Sequence, residues 1–425
     1  MESSLPPPPD LPRRLGLLRR LGPGLVTGAA DDDPSGIATY SQVGAQFGYG
    51  LAWTMLFSLP FMIVIQEVSA RIGCVTGRGI AANLRRYYGP WLVRPVVLLL
   101  LVANVINLGA DLGAMGAALQ LLLGGDGRFY TVAFGIACIV AEVFLRYAVY
   151  AAVLKWLTAS LFAYVAVAFA VDLPWGEAVR ATLLPRLAFD AEHATALIAV
   201  LGTTISPYLF FWQAAMEVED RLRLGARPLC LTPRLAPAQF ARIRTDTVLG
   251  MAVSNLVAIF IIFATAATLH ATGVTEIETS AQAAEALRPI AGELTFVVFA
   301  AGIIGTGLLA VPVLAGGVGY ALSETFGWQE GLDRRPLQAK PFYATIAVAT
   351  LAGAALNFTP LDPVKALYWS AVLNGLLAAP VMAAMMLVAG NGRIMGRLAL
   401  SRPMLAAGWA ATLVMLAASL GFFLL

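Results

Sequence analysis

Residues 22–47 read GPGLVTGAADDDPSGIATYSQVGAQF, and this stretch decides the fold. It is apolar and long enough to cross a bilayer, which takes about 20 residues, yet three carboxylates and a proline stand in its middle. Each of Asp31, Asp32 and Asp33 costs roughly 2.5–3.5 kcal/mol at the centre of a membrane helix even on the most lenient insertion scale. Pro34 removes one backbone donor and presses on the carbonyl four residues back, at Ala30. Glycines at 22, 24, 28 and 36 loosen both flanks. The stretch therefore predicts a helix broken at its middle, with acidic side chains and freed carbonyls at the break. Irregular backbone survives at that depth only where protein or a water-filled cavity surrounds it. The competing reading is a surface loop whose aspartates cap a short helix; the unbroken apolar flanks weigh against it.

The rest of the composition agrees. Of 425 residues, 59% are hydrophobic and 12% charged, about half the charge of a soluble domain. The chain reads as an all-α polytopic membrane protein. A net charge of +3 gives no reason to expect a nucleic-acid partner. Cys74, Cys138 and Cys230 are scattered without metal-ligand or disulfide spacing, and His193 and His270 stand far apart near predicted segment ends. Residues 1–20 carry PPPP and two Arg-Arg pairs but no apolar core with a cleavage site. They read as a disordered tail with a basic flank, not a signal peptide.

Apolar runs long enough to span occur at about 22–47, 51–72, 95–123, 130–149, 151–172, 191–219, 243–271, 292–322, 341–358, 362–390 and 403–425. The division between the fourth and fifth is the least distinct, since only Arg146 and Lys155 mark it. With the N-terminus inside, 23 of the 28 basic residues fall on cytoplasmic segments. One missing helix would reverse every later loop, so this bias supports the count of eleven as well as the orientation. The expected frame is one transmembrane domain from residue 21 to 425 in the cell membrane. It comprises a first repeat over about 21–172, a second over about 191–390, and an extra helix at 403–425.

The sixth run contains LGTTISPYLFFWQAAMEVED, and Ser206-Pro207 interrupts it as Asp33-Pro34 interrupts the first. Pro207 cannot bond the carbonyl of Thr203, which is left free for a cation beside the hydroxyls of Thr203, Thr204 and Ser206. The preceding half-helix also points its negative end at the gap. An ordinary proline kink explains the sixth run alone. Two interruptions at matching places in two five-helix halves point instead to an ion or substrate site of an inverted-repeat transporter.

Other polar residues within the runs need partners. Asn107 and Asp111 lie one turn apart on one face of the third run. Glu67 and Arg71 are spaced for an intrahelical pair, which makes Glu67 structural or part of a gate at the inner mouth. Gln213, Glu217, Glu219 and Asp220 line the inner end of the sixth run, solvated or paired with Arg221 and Arg223. Asn374, Asn104 and Asn255 read as hydrogen-bonding helix contacts. No GK[ST] follows the glycines of GIIGTGLL at 302–309, so no phosphate loop is expected. Nor does an enzyme constellation stand out.

GPGL at 22–25, DP at 33–34 and GAQFGY at 44–49 resemble the first-helix pattern of the Nramp family of proton-coupled divalent metal transporters. QEVSARIGCVTGRG at 66–79 is similar to the end of its second helix, and GTTISP at 202–207 aligns with its sixth-helix break. The resemblance implies a LeuT-like fold, with inverted repeats of helices 1–5 and 6–10. There are departures. DPSG replaces DPGN, so Gly36 stands where an asparagine ligand is expected. Ser206 takes the methionine position, Thr203 that of the alanine whose carbonyl binds metal, and Tyr208 that of a histidine. The third-helix acidic pair is reduced to Asp111, with Leu108 at the other position, and Ala371 stands where the tenth helix usually offers glutamine. These changes resemble the divergent, Nramp-related branch, some members of which carry magnesium.

A thioether favours softer transition metals, whereas hydroxyls and carbonyls favour hard cations. Mg2+ prefers one or two carboxylates with retained waters. The expected metal positions are Asp33, Gly36, Thr203 and Ser206, with Asp31, Asp32, Tyr208, Asp111, Asn107, Glu67 and Asn374 around them or along the pathway. Asp32 and Asp31 lie about 100° and 200° from Asp33 on a regular helix, so the three face one ion only if the helix unwinds. Mg2+ or Mn2+ is expected as transported substrate with no cofactor, in a monomer embedded in the lipid bilayer. With the relay histidine and one carboxylate gone, proton coupling is expected to be weak or absent. Two alternatives stay open: a cation-coupled carrier of a small organic solute, and a membrane metal sensor.

Overall fold

A computed structural model describes residues 23–144, 161–186, 188–360 and 362–425. The regular elements within them are helices. α1 (Pro23–Asp31) and α2 (Pro34–Phe47) are the halves of the first span. α3 (Trp53–Thr76) is the second span, and the short α4 (Ile80–Tyr87) leads from it to the third, α5 (Pro90–Leu123). α6 (Gly127–Phe144) is the fourth span, and α7 (Phe162–Ala170) is the described part of the fifth. α8 (Trp175–Leu183) precedes the sixth span, which is halved into α9 (Ala191–Thr204) and α10 (Pro207–Arg223). Spans seven to eleven are α11 (Ala236–Thr268), α12 (Thr295–Phe326), α13 (Lys340–Leu356), α14 (Pro363–Ala389) and α15 (Arg402–Leu424).

Among the described residues, eight helices are long and apolar enough to cross a membrane. The first expected span is halved, α13 has 17 residues and α7 is described over nine, so these three fall outside that eight. The 1–20 tail and the division between spans four and five at Arg146 and Lys155 lie outside the described residues. Two helices begin earlier than their apolar runs: α5 at Pro90, not 95, and α11 at Ala236, not 243. Each carries proline in its first turn, where a missing N–H costs nothing. The polar turns before the hydrocarbon part are therefore helical as well.

α5 and α12 pack together along the centre of the bundle. α11 supports both halves of the first span, and α10 lies on α3. Span seven thus holds span one, and span two holds span six, the exchange that a two-fold repeat of five helices produces. Packing in lipid gains little from hydrophobicity and depends on close approach of small residues. Gly28 of α1 meets the backbone of Gly250 on α11 so closely that a Cβ would overlap it. Gly202 of α9 meets the Ala371 carbonyl and Gly375 of α14 in the same way. Each broken helix is therefore held backbone to backbone on the N-terminal side of its break.

Candidate functional site

The two breaks have the same construction. α1 ends at Asp31, and Asp33, in extended conformation (φ −69°, ψ 172°), caps α2 with Pro34 at its first position. α9 ends at Thr204, and Ser206 (φ −76°, ψ 128°) precedes Pro207 at the start of α10. Proline is tolerated there because the first N–H of a helix has no intrahelical partner. The aspartates can reach this depth because the surrounding helices bury them: Asp33 is 1% exposed.

Both oxygens of Asp33 are engaged. Oδ1 accepts from Ser35 Oγ at 2.8 Å and from the Gly36 amide at 2.7 Å, which caps α2. Oδ2 accepts from the Tyr208 hydroxyl at 3.0 Å, and that hydroxyl also lies 3.3 Å from the Ala30 carbonyl. The carbonyl freed by Pro34 thus meets a side chain from the opposite break. The one freed by Pro207 is not open as the sequence suggested: Ser206 Oγ lies 2.9 Å from the Thr203 carbonyl and 2.8 Å from that of Gly202. A serine at this cap position folds back onto the preceding turn in the usual way of short hydroxyl side chains.

Gly36 brings the breaks together. A Cβ there would lie 3.1 Å from Thr203 Oγ1, 3.2 Å from the Asp31 carbonyl and 3.3 Å from the Tyr40 ring. Thr203 Oγ1 and the Tyr40 hydroxyl are buried and face each other without a full hydrogen bond. The donors that converge are therefore carboxylate, carbonyl and hydroxyl oxygens, a set suited to hard cations. Among the described residues no three His, Cys, Asp or Glu side chains form a ready metal cluster, so a cation here would be held by mixed oxygen donors.

Asp31 and Asp32 turn towards α11. Ser254 Oγ lies 2.8 Å from Asp31 Oδ2 and 3.0 Å from Asp32 Oδ1. Asp111 is fully buried, and its carboxyl faces the Ser35 amide and Asp33 without a full hydrogen bond to either. Asn107 does not bond its neighbour Asp111; its Nδ2 donates to Asn374 Oδ1 at 2.9 Å and ties α5 to α14. Glu67 pairs with Arg71 at 2.5 Å, and the Arg71 guanidinium sits 4.3 Å above the Phe240 ring.

The acids at the end of α10 correct the sequence reading. Glu217 is buried and pairs with Arg242 of α11 at 2.5 Å, and Glu219 accepts from the Tyr320 hydroxyl of α12 at 3.0 Å. Asp220 keeps the expected partner, Arg223, at 3.5 Å. The partners of Glu217 and Glu219 come from other spans, which spacing within one helix cannot reveal. α1 is anchored nearby, where the Gly24 amide donates to Asp246 Oδ2 at 2.7 Å and Thr27 Oγ1 to Gln213 Oε1. Sequence reasoning missed Ser254 altogether; the available signal was the polar pair Ser254-Asn255 inside an apolar run.

The centre is closed to solvent. On the side of the α2 C-terminus, Gln42 accepts from the Ile277 amide at 2.9 Å, and the His270 ring bonds the Ala45 carbonyl at 2.7 Å. Beyond this latch lies a cavity of about 810 Å³ whose lining includes Tyr49, Asp172, Glu177, Arg180, Arg186 and His270.

A family model described as natural resistance-associated macrophage protein-like, Nramp, matches residues 24–425. The divalent metal cation transporter MntH of Klebsiella pneumoniae subsp. pneumoniae is 27% identical over 403 residues, covering 92% of this chain and 91% of the relative. The crystal structure of the Eremococcus coleocola manganese transporter superposes with a TM-score of 0.75 at 16% identity, over 95% of this chain and 85% of that one. MhsT in complex with L-phenylalanine superposes with a TM-score of 0.64 at 14% identity, over 94% and 98% of the two chains. At these identities the structural likenesses establish the fold, which is LeuT-like.

Proposed function

This chain belongs to the Nramp family, and we propose that it carries Mg2+ and Mn2+ across the cell membrane, with the ion held between the breaks of its first and sixth helices. The observation that carries this reading is the apposition of Gly36 with Thr203 Oγ1, beside the Asp33 carboxylate. Oxygen donors from both breaks meet there. The relatives named as divalent metal cation transporters support the substrate class. The metal is cargo, so the protein needs no cofactor and catalyses no bond-making step.

Asp33 supplies the charge that offsets the ion's dehydration. Thr203 and Ser206 supply hydroxyl and carbonyl oxygens once Ser206 turns from its own helix. Gly36 leaves space for a retained water, which Mg2+ demands because it dehydrates reluctantly. Binding requires Asp33 Oδ2 to exchange the Tyr208 hydroxyl for the ion, so Tyr208 regulates access. Asp31 and Asp32 add attraction, Asp111 adds further negative charge behind Asp33, and the Asn107–Asn374 bridge holds α5 and α14 around the site. Glu67, bound to Arg71, belongs to the arginine-rich end of the pathway. That end, with the N-terminus, faces the cytoplasm because basic residues are retained there. One chain contains both breaks, so a monomer in the bilayer suffices.

A carrier of an organic solute is the weaker reading, since even a methyl group at Gly36 would press on Thr203. The test is flux into proteoliposomes with Mg2+, Mn2+ and Ca2+ compared. Saturable Mg2+ and Mn2+ uptake that Asp33→Ala removes is expected. Uptake of neither metal into sealed vesicles overturns the proposal.

A further inference from the structure

The cavity of about 810 Å³ beyond the latch is lined by four charged side chains that the transport reading does not use: Asp172, Glu177, Arg180 and Arg186. Among the described residues none of them belongs to an ion pair. Their charges cancel, so a metal ion finds no net attraction there. Nor do three His, Cys, Asp or Glu side chains cluster around it among the described residues. The volume falls within the roughly 300–1,000 Å³ of small-molecule sites. A ligand that answers all four groups carries one charge of each sign.

One wall of the cavity is α8, and this helix belongs to the bilayer surface. Trp175, Val179 and Leu183 stand at every fourth position, share one face and are exposed, while Ala178 is buried against the protein. The Trp175 ring lies 5.1 Å from that of Phe169 and 6.5 Å from that of Phe263, and the Tyr49 ring lies 5.8 Å from Phe263. Trp and Tyr gather at membrane–water interfaces, and a helix with one apolar and one charged face lies in that plane. Glu177, Arg180, Ala181 and Leu184 of α8 or its end line the cavity, and at 100° per residue they occupy the face beside the apolar stripe. The charged cavity and the lipid-facing stripe therefore adjoin.

We propose that this cavity holds the headgroup of a zwitterionic phospholipid that carries a primary ammonium, as phosphatidylethanolamine does. Arg180 and Arg186 receive the phosphate, whose oxygens match the guanidinium fork. Asp172 and Glu177 accept from the ammonium, which has three hydrogens to donate. The acyl chains pass along Trp175, Val179 and Leu183 into the bilayer. Continuity with that stripe selects a lipid over a soluble zwitterion such as a free amino acid. The headgroup rests on residues 48–50, which follow α2, and so braces the end of the half-helix that His270 holds at the Ala45 carbonyl. The site goes beyond the transport reading and does not depend on an ion at Asp33.

The experiment is native mass spectrometry of the full-length protein, stripped of lipid by detergent exchange. It is then offered phosphatidylethanolamine, phosphatidylglycerol or glycerophosphoethanolamine, the last being the headgroup without its chains. One phosphatidylethanolamine per chain is expected to survive activation that removes the other two. Arg180→Gln with Arg186→Gln, and separately Asp172→Asn with Glu177→Gln, should each abolish that retention, with folding checked by size-exclusion elution. Phosphatidylglycerol held as firmly overturns the zwitterionic headgroup, and glycerophosphoethanolamine held as firmly overturns the lipid in favour of a soluble solute. No retained lipid, or retention unchanged in either folded double variant, overturns the site. The wild-type selectivity decides even where a variant fails to fold.

Discussion

The Tyr208 hydroxyl lies 3.0 Å from Asp33 Oδ2 and donates to it, so the side chain that opens the second half of the sixth helix closes the carboxylate at the break of the first. The hydroxyl is buried with the carboxylate, where water does not compete for either group. A hydrogen bond to a charged group contributes about 1.5–3 kcal/mol, and a cation arriving at Oδ2 must replace it. Tyr208→Phe is therefore expected to raise metal affinity by about tenfold while slowing release. Isothermal titration checks this. Weaker binding in the variant would show instead that the phenol oxygen is a ligand.

Asp33 is the group whose loss should be least tolerated. Asp33→Ala should abolish metal binding and transport in a protein that still inserts and elutes as a single species. Asp33→Asn should be nearly as damaging, because an amide oxygen can cap α2 but lacks the charge that offsets cation desolvation. Transport by Asp33→Ala at the wild-type rate removes this residue from the ligand set.

The close contact of Gly36 with Thr203 makes a specificity change a matter of volume as well as of ligand chemistry. Asparagine at 36 would press on Thr203 Oγ1, the Asp31 carbonyl and Tyr40, all within 3.3 Å of its Cβ. Gly36→Asn alone is expected to lower stability and metal binding, and Thr203→Ala to restore part of both, a coupling that a double-mutant cycle measures. Adding Ser206→Met should move preference towards Mn2+, iron or cadmium, since the thioether is the softer donor. An unchanged metal ranking in the triple variant means that selectivity resides elsewhere.

How far the sequence was legible follows from what each residue needs as a partner. The breaks were legible because Asp33-Pro34 and Ser206-Pro207 break local rules inside apolar runs. Glu67 and Arg71 were legible because both partners lie on one helix. Gly36 against Thr203, Ser254 beneath two aspartates and Arg242 on Glu217 were not, since each joins residues distant along the chain whose types are unremarkable alone. Asn374 was legible as a polar helix contact, but its partner Asn107 had been placed beside Asp111 by helical spacing. Ser206 shows the converse limit: its type suggested a ligand, while the local cap geometry turns its hydroxyl onto Gly202 and Thr203.

Glu330, between α12 and α13, predicts a pH dependence of stability. Burial, with the carboxylates of Glu324 and Glu219 nearby, pushes its carboxyl up to about 9, against the opposing pull of Arg334 and Arg85. A carboxyl whose folded pKa is raised contributes stability that is complete below its unfolded pKa of about 4.3 and lost as pH rises through the folded value. The thermal midpoint should therefore fall as the pH is raised from 5 towards 9, and Glu330→Gln should flatten that fall. A wild-type midpoint insensitive to pH across this window would contradict the assignment.

Metal movement is expected without obligatory proton coupling. The resemblance to the family implies Tyr208 in place of a histidine, Leu108 in place of a carboxylate and Ala371 in place of a glutamine, so the usual relay is expected to be missing. What remains is Asp111, which faces Asp33 and the Ser35 amide, and Glu67, which is held by Arg71. Glu67 is already engaged in that ion pair, and Asp111 is the candidate to test. The Asn107 Nδ2 donates to Asn374, and the Asn107 Oδ1 is buried without a partner. Vesicles loaded with a pH-sensitive dye, given a metal gradient at zero voltage, should show metal entry without acidification. The same vesicles under an imposed potential should show metal flux that follows the voltage, as for a divalent ion moving alone. Acidification that depends on metal and disappears in Asp111→Asn would overturn the uncoupled reading and make Asp111 the proton carrier.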